Sequence, residues 1–156
     1  MKVRLELVRR TVEGIECPTL VVRLRVRDRY GALTAMTFRV DTQADLTTVP
    51  GRTALREGIP FSEDRVRVVR GIAGAAESHR DRIRVVIAGR EHDWPCDFTK
   101  PAVDPATGRA LPDLSPVFGR AGLLDEYALA VDSGYLILTR LGPVRRWCRR
   151  RLYAVW

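Results

Sequence analysis

The segment Phe38-Arg-Val-Asp-Thr-Gln-Ala-Asp-Leu-Thr-Thr-Val-Pro50 decides how the rest of the chain is read. Before it, Met36, Phe38 and Val40 alternate with Thr37 and Arg39, the period of two of a strand with one buried face. Asp41 therefore stands where a strand runs out into a loop. After it comes a Thr-rich apolar run that suits a second strand. Taken alone, an Asp-Thr pair after an apolar strand fits a solvated turn as well as a reaction centre. The choice depends on what the flanking segments supply.

Upstream, Val3, Leu5 and Leu7 alternate with Lys2, Arg4 and Glu6, and Val22, Leu24 and Val26 alternate with Arg23, Arg25 and Arg27, which predicts two more half-buried strands. Downstream, Arg52 to Glu57 gives one or two helical turns, closed by Gly58 and by Pro60 beyond it. Arg65 to Arg70 and Arg82 to Ala88 are strand-like and flank Gly71-Ile-Ala-Gly-Ala-Ala76, which predicts a long hairpin with a small-residue tip. Lys100 to Pro116, with four prolines and Gly108, reads as an irregular surface loop. A short apolar run, Val117 to Gly119, precedes a short helix at Leu123 to Tyr127. A final hairpin follows, Ala128 to Val131 and Tyr135 to Thr139, turning at Asp132-Ser-Gly134. The expected class is mainly β.

With 156 residues the chain has room for one full-sized lobe and not two. Composition, 46% hydrophobic and 29% charged, is that of a globular protein and excludes a disordered chain. The net charge is +8, yet six arginines and no acid follow Asp132, so the body is close to neutral and the basicity belongs to the tail. Cys17, Cys96 and Cys148 lie far apart with no C-x-x-C, which suggests neither a disulfide framework nor a zinc site and suits a reduced, cytoplasmic setting. The charged N-terminal decapeptide reads as neither signal peptide nor membrane span. His79 and His92 are lone histidines without a second ligand at metal spacing, so no metal is expected. No phosphate loop or nucleophile elbow is present.

The decisive segment resembles the Asp-Thr-Gly-Ala-Asp active-site loop of the retropepsin-like (retroviral-type) aspartic proteases, in the single-lobe form of bacterial members. Val117-Phe-Gly-Arg-Ala-Gly-Leu-Leu124, about eighty residues on, is similar to the apolar-apolar-Gly-Arg segment and helix that pass beneath that loop in the family. The hairpin carrying Gly71, Ile72, Ala73 and Gly74 holds the position of the family's flap. The resemblance spans roughly residues 35 to 140. It implies a closed β-barrel with one or two short helices and a flap, over residues 1–141, followed by a basic tail at 142–156.

It also implies the chemistry. Such an enzyme needs two carboxylates sharing one proton, one as general base on a water and one as general acid. This chain offers one such loop. Asp132-Ser133-Gly134 is not the second, because it follows the apolar-Gly segment of the same lobe, sits at hairpin spacing, and leaves no residues for another lobe. The expectation is a homodimer that completes the site with Asp41 from each copy and cleaves polypeptides without any cofactor. Thr42, Gln43, Ala44 and Asp45 would form the loop, Gly119 and Arg120 would brace it, and Asp45 would pair with Arg120.

One position departs from the family: Gln43 stands where glycine is usual, in a loop whose backbone approaches carboxylates and substrate closely. This keeps a catalytically silent peptide-binding or assembly module open beside the enzyme. A third reading comes from the tail. There Val144, Trp147, Cys148, Leu152 and Val155 fall at helical spacing among Arg145, Arg146, Arg149, Arg150 and Arg151. Such a helix could dock on the body, or meet an anionic membrane surface or nucleic acid.

Overall fold

The computed structural model describes residues 2–12, 14–64, 66–71, 74–101, 106–109 and 115–146. Ten strands and two short helices follow in the order β1 (Lys2–Val12), β2 (Ile15–Arg27), β3 (Leu33–Val40), β4 (Thr47–Pro50), α1 (Gly51–Arg56), β5 (Val66–Gly71), β6 (Gly74–Ile87), β7 (Arg90–Thr99), β8 (Val117–Phe118), α2 (Arg120–Glu126), β9 (Tyr127–Asp132) and β10 (Tyr135–Arg140). All ten strands join one sheet, ordered β5-β6-β7-β4-β8-β3-β2-β1-β10-β9. β2 also pairs with β6, Arg25 facing Val86 and Val26 facing Val85, so the run from β6 to β2 returns on itself.

The alternation seen in the sequence sets which face is covered. Val22, Leu24 and Val26 of β2 and Met36, Phe38 and Val40 of β3 are buried, while Arg23, Arg25, Thr37 and Arg39 between them are exposed. Phe38 meets Phe118 at 5.5 Å between ring centroids, and Phe118 meets Trp94 at 5.1 Å. These rings put β8 at the centre of the core, with Leu123 and Tyr127 of the following segment fully covered beside it.

Two elements differ from the sequence expectation. β7 spans Arg90–Thr99, a stretch for which no element was predicted, and it turns His92, Trp94, Cys96 and Phe98 inward. One of those inward positions is a polar histidine, and Pro95 interrupts the run, so its period of two is hard to see in the letters. β6 begins at Gly74 rather than at Arg82, since ladder bonds to β5 and β7 hold an extended backbone through a charged stretch with no apolar alternation. In the expected loop between Lys100 and Pro116, the described residues 106–109 form a turn outside any strand. No helix among the described residues is long and apolar enough to cross a membrane.

Candidate active site

β3 delivers Asp41 and β4 leads the chain away, and the two lie on opposite sides of β8. β3 pairs with β8 in parallel, Arg39 facing Val117 and Val40 facing Phe118, while Thr48 of β4 faces Val117 from the other side. The loop of residues 41–46 therefore arches over the end of β8. The geometry at its crown is tight. The Asp41 N–H donates to the Phe118 carbonyl at 3.1 Å, and Asp41 Oδ1 accepts the Gln43 N–H at 2.9 Å. The Ala44 N–H closes a turn on the Asp41 carbonyl at 3.3 Å.

Gly119 sits directly under the arch. A Cβ on it would lie 2.8 Å from the Thr47 nitrogen and nearer still to the Leu46 carbonyl, and both are main-chain groups that cannot rotate aside. Its φ of −89° is ordinary, so glycine is required there by closeness and not by backbone hand. Beyond it, the Arg120 N–H donates to the Ala44 carbonyl at 2.8 Å and the Ala121 N–H to the Asp45 carbonyl at 2.9 Å. Arg120 Nη2 also pairs with Asp45 Oδ1. The Asp45 side chain is 82% exposed, so that ion pair adds little and the two main-chain bonds do most of the bracing. Thr47, fully buried, accepts the Gly119 N–H through Oγ1 at 3.4 Å. Sequence reasoning missed Thr47, although its inward phase with Val49 on β4 was available as a signal.

Thr42 and Gln43 are exposed, and Asp41 and Ala44 are half-buried. Gln43 does not adopt a positive φ, so the backbone at this position does not demand glycine, and its N–H bonds the Asp41 carboxylate. Asp41 lines a cleft of about 380 Å³ together with Leu20, Val21, Thr37 and Arg39. On the hairpin expected to be the flap, Gly71 of β5 faces Gly74 of β6. Ile72 and Ala73 between them lie outside the described residues, as do the tail residues 147–156 that include Arg149, Arg150 and Arg151. Residues 143–146 form one helical turn in which Val144 and Arg145 are exposed.

The helix below the arch is anchored by a buried polar cluster. His92 Nδ1 lies 3.1 Å from Glu126 Oε2, His92 Nε2 lies 3.0 Å from the Tyr127 hydroxyl, and Trp94 Nε1 donates to Glu126 Oε1 at 3.0 Å. Burial works against ionising Glu126, but the Trp94 hydrogen bond and His92 outweigh it and hold the carboxyl below its ordinary range. Burial, with Glu126 close by, pushes the Tyr127 hydroxyl up. Gly122, at φ +88°, lets the helix turn sharply against the Trp94 ring, where a Cβ would meet that side chain. His92 is thus a satisfied core histidine. His79 is buried 6.1 Å from the Phe61 ring. Among the described residues no group of three or more His, Cys, Asp or Glu is gathered to hold a metal ion. Asp132 ends β9 paired with Tyr135, and Ser133 and Gly134, both at positive φ, form the turn to β10. Cys96 is fully buried, and that burial raises its thiol well above the usual range, so it is no nucleophile.

No family model and no curated protein matches the sequence. Among solved structures, that of a retropepsin-like aspartic protease from Rickettsia conorii is similar, with a TM-score of 0.52 and 18% identity, over 88% of this chain and 90% of that one. The chain therefore has a fold like that of a retropepsin-like aspartic protease.

Proposed function

We propose that the protein is an aspartic endopeptidase that works as a homodimer, with Asp41 of each copy facing the other across a two-fold axis. The observation that carries this reading is the braced arch. A lone aspartate is presented at a cleft by a loop fixed through Phe118, Gly119, Arg120 and Ala121, which is far more scaffolding than a solvated turn requires. The structural likeness to a retropepsin-like protease supports it. In the dimer the two Asp41 carboxylates share one proton, since like charges this close do not both ionise. The ionised one takes a proton from water as it attacks the peptide carbonyl, and the protonated one donates to the carbonyl oxygen. The Gln43 N–H, bonded to Oδ1, orients the carboxylate. The return of β6 onto β2 supports a closed barrel, and the β5–β6 hairpin acts as the flap over the peptide.

The silent-module reading rests on Gln43. Its exposed side chain and its backbone outside the left-handed region weigh against it, because neither obstructs the bond to Asp41. The test is cleavage of an unfolded polypeptide at mildly acidic pH. Wild type cuts it, while Asp41→Asn does not and stays dimeric by sedimentation. Cleavage that survives the substitution removes Asp41 from the mechanism. A silent wild type that gains activity as Gln43→Gly assigns the protein to the non-catalytic class.

A further inference from the structure

Arg39 lies on the outward face of β3, Asp41 follows the last residue of that strand, and both line the same cleft. Among the described residues of that lining, Arg39 is the only lysine or arginine. It is exposed, its N–H is taken by the Pro116 carbonyl, and no acid among the described residues forms an ion pair with it. Other arginines differ in this respect. Arg27 holds Glu91, Arg80 holds Asp97 and Arg82 holds Asp93, at 2.5 to 2.6 Å. Arg39 thus has no ion-pair partner among the described residues, and the one acid in the described lining is Asp41 itself.

It is also not isolated. Across the β2–β3 ladder Val21 faces Arg39, Arg23 faces Thr37 and Arg25 faces Ala35. Arg23 and Arg25 are exposed on the same side as Arg39, again without an ion-pair partner among the described residues. Alternate residues of a strand repeat at about 6.6–6.8 Å, and the diagonal from Arg39 to Arg23 is about 7–8 Å. An extended peptide has the same repeat, so acids at alternate positions fit this row of guanidinium groups. A nucleic-acid strand fits less well. The cleft wall includes the apolar Leu20, Val21 and Val40, which suit the side chains of a peptide and offer a phosphate backbone no partner.

We propose that the cleft selects peptides with Asp or Glu beside the hydrolysed bond, held by Arg39, and that Arg23 and Arg25 receive further acids of the same segment. This rests on the endopeptidase reading above. Three fluorogenic peptides that differ only in Glu, Gln or Lys next to the cut bond provide the test. Wild-type kcat/KM favours Glu over Gln by about ten- to a hundredfold, as a charge-assisted hydrogen bond in a cleft does, with Lys poorest. Arg39→Gln loses this preference, and Arg39→Lys keeps much of it. Equal cleavage of the Glu and Gln peptides by wild type overturns the proposal while the protease reading stands, and so does a Glu preference that persists in Arg39→Gln. So does a single-stranded oligonucleotide that binds through Arg39 more tightly than the Glu peptide. If no peptide is cut, fluorescence anisotropy with the same labelled peptides decides. Arg39-dependent preference for Glu in binding upholds the selectivity and removes the enzyme, and indifference removes both.

Discussion

Replacing Gly119 with alanine tests the arch that presents Asp41. The added methyl group would lie 2.8 Å from the Thr47 nitrogen and closer to the Leu46 carbonyl, all rigid main chain, so the loop has to lift. Overpacking of a tight site costs about 1–3 kcal/mol. Lifting also endangers the bonds from Arg120 to Ala44 and from Ala121 to Asp45, each worth roughly 1 kcal/mol net. The expected loss is about 3–5 kcal/mol, which for a chain of this length lowers Tm by roughly 10–15 °C. Thermal unfolding followed by circular dichroism measures it, at one matched protein concentration because association shifts Tm. Gly142→Ala is the control, since a Cβ there meets nothing within 4 Å. If Gly119→Ala unfolds within about 2 °C of wild type and of that control, Gly119 is not wedged under the loop and the bracing account is wrong.

Two other perturbations probe the supports. Trp94→Phe removes the donor to Glu126 and costs about 1–3 kcal/mol at neutral pH. Glu126 has its folded pKa held below its ordinary 4.5, so the stability it supplies is complete above that value and is lost as pH falls through the folded one. The gap between wild type and Trp94→Phe in urea unfolding therefore narrows from pH 7 to pH 3.5, and an unchanged gap refutes the link. Arg80→Ala leaves the Asp97 carboxylate, 3% exposed, without the guanidinium that holds it at 2.5 and 3.0 Å. The expected destabilisation is about 3–5 kcal/mol by the same urea assay, and a loss below about 1 kcal/mol argues that water reaches that acid.

Much of the fold was legible because its alternation is clean. Val22, Leu24 and Val26, then Met36, Phe38 and Val40, fall inward as their spacing predicts, and Ser133-Gly134 is the expected two-residue connection between β9 and β10. β7 was not legible, because an inward His92 is paid for by Glu126 and Tyr127, residues distant in sequence whose proximity only the fold creates. The position of Asp41 at a strand end followed from the letters, but the crossing of β8 under its loop did not. Val117 and Phe118 form a two-residue strand, too short for any periodicity, and only the resemblance to a known loop drew attention to them. Arg39 falls on the outward phase of that alternation, and nothing in an alternating pattern tells an exposed face from a cleft wall. The role of Thr47 was hidden in the same way, as a hydroxyl inside an apolar phase is visible only once Gly119 is seen above it.

The central claim is that each chain carries half of a reaction centre, and subunit mixing tests it most directly. Wild type and Asp41→Asn are combined at constant total concentration, allowed to exchange, and assayed for peptide cleavage across the range of mixing ratios. If one aspartate must come from each copy, activity follows the square of the wild-type fraction and falls to about a quarter at equal amounts. A straight line through about one half at equal amounts means that every chain holds a complete site, and contradicts the account.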